Sequence, residues 1–576
     1  MRTSNARILI EILFCVLALR LFYLQIVKGN FYFSLSSKNY VRVIPQEGSR
    51  GRIIDSRGQP IVDNKISYHI SVLPIEFRKD KKTVSRLSSL LGISIEKINS
   101  SIKKNFVSSF TPVVIARYVD KKTAFFIEEN KLTLPGVMVQ AVSERNYPHQ
   151  GLASHTVGYL AKIDRWRITR LKDYGYRTKD IVGFGGIEEA CEQLLRARDG
   201  GMQIQVDHRG RISRVLGFRE PESGRDVSLT IDWRIQKIIE DSFDGRRGAG
   251  VLMDVTTGRI IALISSPGFY PGAFLDEDSS AYISGILSDS DTPLRNRAIS
   301  GQYPPGSVFK IVSAIAGLEK KEITPQTRFF CSGRLKVGVR EFNCWSAHGS
   351  QDLVEAIAHS CNVYFYHLAL LLGPATLSEY ALKFGLGRQT GIDLPYEVSG
   401  NVPSALARRM KLMSALPVGR HWYDGDTVNF GIGQGDLLVS PIQAAHLMAV
   451  VANKGALVTA HIVESVVGSE IKPRSAIKLD LDKKAVAITI EGMKEVVNAR
   501  TGTANIGDWS GLKVAGKTGT AQVKDSPSHG WFVGFLPYDK PKIAFCFFLE
   551  NVGHSVPAVI LAQQVFRKMK EENLLQ

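Results

Sequence analysis

One apolar run near the amino terminus divides the chain before anything else is read. Ile8 to Ile26 is broken by charge only at Glu11 and Arg20, and it is close to the ~20 residues a helix needs to cross a bilayer. Arg2 and Arg7 precede it, which favours an N-terminus inside. No small-x-small cleavage pattern follows, so the segment reads as an uncleaved signal anchor with the remainder outside the cytoplasm. Arg20 can snorkel, whereas Glu11 either lies near the headgroups or pairs with another membrane helix. The expected divisions are a cytoplasmic tail at 1–7, an anchor at 8–27, a first extracytoplasmic domain at 28–224 and a second at 225–576.

The chain has 576 residues and a formal net charge of +18. The basic excess is spread out, and no zinc-finger spacing of the DNA-binding type, aromatic–basic RNA motif or phosphate-binding glycine loop accompanies it. That argues against nucleic acid and for either an anionic surface or a solvated basic face. Arg50 to Val62 reads as strand, turn at Ser56-Arg57-Gly58, and strand. From about Ile75 to Lys104 the pattern predicts polar helix, with Leu87, Leu90, Leu91 and Ile95 as the buried stripe. His149 and His155 have no third ligand nearby and read as surface or packing residues. Turn-rich Arg219 to Gly224 marks the main boundary. A helix is expected from Leu229 through Ile239, with Asp232 at its N-cap. Strands follow at 250–255 and 259–264, then helix from Ser307 to about Gly387. Strands return at 513–516, 530–535 and 543–549, and a closing helix runs from about Ala558 to Lys570. Strands, helices, then strands with a final helix imply an antiparallel sheet covered by helices, within a membrane-anchored α+β chain.

Tyr303-Pro304-Pro305-Gly306 disfavours helix, and a well-patterned helix begins directly after it. Ser307 therefore sits at or near a helix N-terminus, with Lys310 one turn on. A hydroxyl and an amine so placed can make a nucleophile and its base. Chance alone gives about two or three S-x-x-K matches in such a length, and Ser94/Lys97, Ser100/Lys103 and Ser101/Lys104 are among the others in this chain. Those three lie in a charged segment without the Pro-Pro-Gly entry and read as solvated surface. Two further elements single out Ser307. Ser360-Cys361-Asn362 adds a hydroxyl and an amide, and Lys517-Thr518-Gly519-Thr520 adds an amine, hydroxyls and a glycine that admits a ligand to a strand edge. Alone, S-x-N is a helix cap and K-T-G a turn.

In the order S-x-x-K, S-x-N, K-T-G these residues resemble the penicillin-binding protein and serine β-lactamase superfamily. Within it the chain is similar to the class B penicillin-binding proteins. Arg50 to Asp55, Gly186-Ile187-Glu188, Leu229 to Asp232, Pro293 to Ala298, Thr390 to Pro395 and Gly431 to Gly435 carry that likeness over nearly the whole length. Phe342 to Trp345 and Tyr364-Phe365-Tyr366 are most like the elongation type of rod-shaped Gram-negative bacteria, ahead of the septal type. The resemblance implies a pedestal of the dimerisation type at 28–224 and a transpeptidase domain at 225–576. It implies D,D-transpeptidation of peptidoglycan stem peptides, with related carboxypeptidase chemistry, and sensitivity to β-lactams. Ser307 would attack the penultimate D-Ala carbonyl, with Lys310 poised neutral to take its proton, helped by burial and by the second cation of Lys517. Ser360 would relay a proton to the leaving amine and Asn362 would orient Lys310 and substrate. Lys517, Thr518 and Thr520 would hold the terminal carboxylate, with Gly519 between them, and the Ser307 and Thr520 N–H groups would form the oxyanion hole. The implied partners are a multi-spanning membrane glycan polymerase and the inner membrane, with the bulk of the chain in the periplasm.

The chain has 6 Cys, and Cys331, Cys344 and Cys361 fall around His348 with gaps of twelve, three and twelve residues. Cys₃His is a structural zinc set, and such a site would tie the loop after the Ser307 helix to the S-x-N turn. The resemblance implies that some elongation-type relatives hold zinc hereabouts with Asp, His and Cys, so Cys331 and Cys344, standing where those have carboxylates, are a departure. A disulfide is the alternative, leaving one thiol over and His348 without a role. Cys15, Cys191 and Cys546 read as packing residues. A β-lactamase would need a deacylating base that the sequence does not reveal, a decayed scaffold would not keep every motif residue, and a bifunctional enzyme would need a glycosyltransferase domain.

Overall fold

The computed structural model describes residues 2–32, 41–77, 81–106, 112–171, 176, 180–206, 212–403, 422–469, 474 and 476–575. The first helix, Arg2–Phe22, continues through one wide turn at Tyr23–Val27. Arg7–Val27 is long and apolar enough to cross a membrane. Its large side chains, Leu13, Phe14 and Leu19 among them, are exposed. Glu11 lies 3.4 Å from Arg7 one turn before it.

The chain forms two compact units whose segments alternate along the sequence. One comprises Met1–Gly51, Asn64–Arg145 and Arg196–Arg225, the other Arg52–Asp63, Asn146–Leu195 and Asp226–Gln576. In the first, Val41–Gln46, Gly200–Val206 and Ile212–Arg219 make an antiparallel sheet. Its core gathers Ile70, Val72, Leu87, Ile98, Ile102 and Val113. The helix expected over 75–104 is three helices, Pro74–Phe77, Lys81–Leu91 and Ile95–Asn105; residues 78–80 lie outside the described ones. Gly92, at φ 65°, follows the second helix, and Ser94 caps the third by accepting from Lys97 N. The restart resets the helical phase, so Ile98 and Ile102 are buried and Ile95 is 40% exposed. The Ser94/Lys97 match is thus a helix cap.

The second unit is built on five strands: β1 (Gly248–Asp254), β2 (Ile260–Ser266), β3 (Ala515–Val523), β4 (Ser526–Leu536) and β5 (Ile543–Leu549). Their spatial order is β2-β1-β5-β4-β3, every neighbour antiparallel. Among its helices, those that pack on the sheet and frame the site are α1 (Trp233–Phe243), α2 (Lys310–Glu319), α3 (Leu353–Ala358), α4 (Asn362–Lys383), α5 (Pro441–Ala452), α6 (Lys483–Asn498) and α7 (Val556–Glu571). Alternation along β5 sends Phe545 and Phe547 against Phe566 of α7, and Phe548 against Trp531 and Tyr303. With both faces covered, β5 is buried at every residue, which is why it reads as a continuous apolar run. Every residue of α5 is buried too.

Two expectations are corrected in this unit. Leu229 ends a strand, Val227–Leu229, paired with Val463–Val466 and with Ile53–Ile54. The helix starts only at Trp233 and runs to Phe243, with Asp232 capping it by accepting from Arg234 N. Between α2 and α3 the chain is not helical: Phe329–Cys331 pairs with Gly349–Gln351, and Arg334–Val337 with Arg340–Asn343. Glycines at positive φ turn the backbone there, Gly338 at the hairpin tip, and local helical periodicity yields to that turn chemistry.

His155 is a packing residue, as the sequence reading has it. It is buried, with Nε2 2.6 Å from the Pro293 carbonyl. Burial first, and then the charge of Arg297, lower its pKa to about 4. A folded pKa below the unfolded value of about 6.5 gives stability that is complete above pH 6.5 and is lost on acidification toward pH 4. Between pH 7 and pH 4.5 this one group should cost about 2.5 kcal/mol. In urea unfolding of the detergent-solubilised chain, His155→Gln should therefore show a shallower acid slope than the parent by that order. Equal slopes would mean that His155 titrates alike in both states.

Candidate active site

Gly306 to Phe309 forms a 3₁₀ turn that runs into α2, so Lys310 is the first residue of the α-helix and Ser307 stands one turn ahead of it. Gly306 is at φ 54°, and a Cβ there would lie 2.7 Å from the Thr520 carbonyl oxygen. A Cβ on Gly519 would lie 2.9 Å from the Pro305 carbonyl oxygen. The serine turn and the edge strand thus meet at two glycines, each needed for the close approach. The K-T-G run lies inside β3, which starts at Ala515, and not after the strand. Lys517 pairs with Val533 and Thr520 with Gly530.

Ser360 occupies the turn between α3 and α4 at φ 52°, a left-handed position unusual for a side-chain residue. Its N–H donates to the Ile357 carbonyl, and the Cys361 N–H to that of Ala356. This turn presents Ser360 to both lysines. Lys517 Nζ donates to Ser360 Oγ at 2.8 Å and to the Thr518 carbonyl at 2.9 Å. Lys310 Nζ donates to the Ser360 carbonyl at 2.8 Å, to Ser360 Oγ at 3.3 Å and to Asn362 Oδ1 at 2.7 Å. Lys310 therefore bonds to the S-x-N residues, and none of its hydrogen bonds goes to Ser307.

Both amines are 0% exposed, whereas Ser307 is half-buried and Thr520 exposed. The cleft accordingly has a sealed floor and an open rim. Burial lowers the Lys310 pKa to about 8, opposed by the nearby cysteines. Lys517 is pulled well below the usual lysine range by burial and then by the charge of Lys310. The effect of one ammonium on the other thus falls on Lys517, the reverse of the expected direction. A cluster of low-dielectric amines around one hydroxyl can pass a proton without a bulk water.

The sequence did not point to three supports. Thr503 Oγ1 lies 2.7 Å from Thr518 Oγ1, the Asn343 carbonyl accepts from Asn362 Nδ2 at 3.2 Å, and Gln434 Nε2 donates to the Thr520 carbonyl at 3.4 Å. The repeat of Thr501-Gly502-Thr503 in Thr518-Gly519-Thr520 is the one signal in the sequence for the first of these.

Cys331, Cys344, His348 and Cys361 converge: one donor atom from each lies within 4.8 Å of the others. Cys331 Sγ and Cys344 Sγ stand 3.6 and 3.5 Å from His348 Nδ1, and no two of the cysteines are bonded. Cys344 Sγ accepts from the Asn362 N–H at 3.2 Å. Bonds from the Cys361 thiol and backbone N–H groups draw the Cys344 pKa down to about 4, and the same contact pushes Cys361 well up.

Residues 248–570 match the penicillin binding protein transpeptidase domain, and residues 45–229 the penicillin-binding protein dimerisation domain. The peptidoglycan D,D-transpeptidase MrdA of Escherichia coli strain K12 is 31% identical over 96% of this chain and 91% of its own length. The complex of PBP2 with MreC from Helicobacter pylori contains a chain with TM-score 0.80 and 27% identity, covering 93% of this chain and 99% of that one. A structure of a peptidoglycan synthase complex that coordinates polymerization and crosslinking matches with TM-score 0.75 and 26% identity, over 98% of this chain and 97% of that one. With a domain match over more than half its residues and a relative matched nearly end to end, this chain belongs to the penicillin-binding protein transpeptidase family, on its class B, PBP2-like branch.

Proposed function

We propose that the protein is the peptidoglycan D,D-transpeptidase of cell-wall elongation and that Ser307 carries the acyl group. The observation that carries this reading is the meeting of two buried lysines on Ser360 Oγ behind an accessible serine. Ser307 Oγ attacks the penultimate D-Ala carbonyl of a stem peptide as Lys310, neutral, takes its proton. The Ser307 and Thr520 N–H groups stabilise the oxyanion. The tetrahedral adduct expels the terminal D-Ala, whose amine is protonated through Ser360. A neighbouring stem's amine then attacks the acyl-enzyme, returns its proton along the same path and frees Ser307. Asn362 holds Lys310, while Lys517, Thr518 and Thr520 bind the terminal carboxylate beside Gly519. β-Lactams enter by the same attack. Water in place of the acceptor amine would give carboxypeptidase, that is hydrolase, chemistry.

Labelled penicillin should acylate the parent protein and leave Ser307→Ala unlabelled. Labelling of the alanine variant would overturn the assignment. Lys310 must lose its proton to act as base, so the acylation rate should rise with pH and level off above its pKa of about 8. A profile flat from pH 6 to 9 would remove Lys310 from that role.

Cys331, Cys344, His348 and Cys361 fit a structural zinc ion. Zinc bonds of about 2.3 Å to sulfur and 2.1 Å to nitrogen give tetrahedral edges of about 3.6 Å, in line with the sulfur–nitrogen separations observed. A disulfide would leave His348 and one thiol unused. Bound, zinc would fix the hairpins after α2 to the S-x-N turn, with no part in bond-making. Metal analysis of the purified protein should find one zinc per chain, and Cys344→Ser should lose it. A chain free of zinc in both forms would sink the site.

The apolar Arg7–Val27 helix supports a single-pass anchor in the inner membrane with the bulk in the periplasm. The matched synthase complex supports partnership with a multi-spanning glycan polymerase.

A further inference from the structure

The structure assigns to Glu550 and Tyr303 the positioning of the loop that delivers Ser307, an inference that rests on Ser307 being the acylated residue. Glu550 follows the last residue of β5 and carries a largely buried carboxylate. Its Oε1 accepts from Tyr303 OH at 2.6 Å and from Arg297 Nε at 3.0 Å. Arg297 is 2% exposed, and three further bonds from its guanidinium go to the Asp291 and Thr292 carbonyls and to Thr292 Oγ1. Oε2 faces Arg247 at 3.7 Å. The carboxylate is thereby held on both sides, and the Tyr303 hydroxyl is bonded to a group that two arginines fix in place.

Tyr303 is four residues before the nucleophile, and every contact it makes pins the approach to the turn. Its ring lies on Phe548, with centroids 4.2 Å apart, and edge-on to Trp531 and His529. Its N–H and carbonyl both bond to Val439 at 2.9 Å. The next residue is held as well, because Trp531 Nε1 donates to the Pro304 carbonyl at 3.1 Å. Gly306 N then donates to the Gly433 carbonyl at 2.9 Å. Trp531 is directly opposite Gly519 in the sheet. One pair of strands, β4 and β5, thus sets both the carboxylate-binding edge and the reach of the serine turn toward it. Prolines at 304 and 305 leave this run few internal adjustments, so a displacement of the Tyr303 ring passes to Ser307. Neither Tyr303 nor Glu550 touches the cleft amines; they act through backbone position.

The test measures acylation of the full-length protein by labelled penicillin at saturating and subsaturating concentrations, which separates the acylation rate constant from affinity for the non-covalent complex. Tyr303→Phe removes one hydroxyl and keeps the ring. It should lower the rate constant roughly 10- to 100-fold, the usual effect of misplacing a reacting group by a fraction of an ångström to an ångström, while pre-covalent affinity holds. Glu550→Gln should behave alike. Asp393→Asn, which breaks the Arg474 ion pair elsewhere in this unit, should lower the melting temperature and leave the rate constant unchanged. A folded Tyr303→Phe with a rate constant within about twofold of the parent, or a loss matched by Asp393→Asn at equal melting temperature, would overturn the proposal. Should Glu550→Gln not fold, Tyr303→Phe decides alone. Labelling of Ser307→Ala would instead overturn the nucleophile on which the inference rests.

Discussion

Two lysine side chains share one serine hydroxyl in a place that water does not reach, and the rest of the catalytic unit is arranged around keeping them there. Two ammonium ions at that spacing repel, and a buried charge is costly without full pairing. The site answers in two ways. It lowers both pKa values through burial, and it supplies acceptors, the Ser360 carbonyl and Asn362 Oδ1 for Lys310 and the Thr518 carbonyl for Lys517. Those acceptors come from a left-handed turn and from an edge strand far apart in the chain. The fold therefore has to bring α2, the α3–α4 turn and β3 together before either lysine can be neutral and held.

How much of this was legible differs by feature. Three short motifs in a fixed order are specific where each alone is common, and they single out Ser307 together with Lys310, Lys517, Ser360 and Asn362, the last four of which the fold joins by hydrogen bonds. The sheet strands were found because β5 is apolar at every position and β1 and β2 flank a Thr-Gly turn. What escaped was whatever depends on phase or pairing. Ile95 lost its place in the core to Ile98 and Ile102 because Gly92 and Ser94 restart the helix. Leu229 reads locally as helix because the strand it pairs with, Val463–Val466, lies more than two hundred residues away. The hairpins at 329–351 are a different case, because their partners are close in sequence and the turn at Gly338 outweighs the local helical periodicity.

The cysteine cluster shows the opposite case, in which spacing alone carried the argument. Gaps of twelve, three and twelve residues are uninformative about distance until the hairpins fold back, yet all four donors meet. Cys361 stands between Ser360 and Asn362, and the Asn362 N–H points at Cys344 Sγ. A constraint on Cys344 or Cys361 therefore passes directly to the residues that hold Lys310, through the Asn362 N–H and through the backbone between Ser360 and Asn362. The cleft floor is braced from the loop side by this cluster and from the sheet side by Trp531 and Glu550.

The register of the central sheet has a consequence for how the molecule comes into being. β1 pairs with β5 from Gly248 opposite Leu549 to Asp254 opposite Ile543. A chain made from its amino terminus thus completes β1 and β2 together and then lacks the second neighbour of β1 until β5 follows, nearly three hundred residues on. Loop closure over so long a span is slow, and an unpaired apolar strand edge invites association with other chains. Newly made copies should consequently pass through a vulnerable interval that ends only when the last strand docks, which makes the carboxyl-terminal hairpin of β4 and β5 the step that commits the unit to its native form.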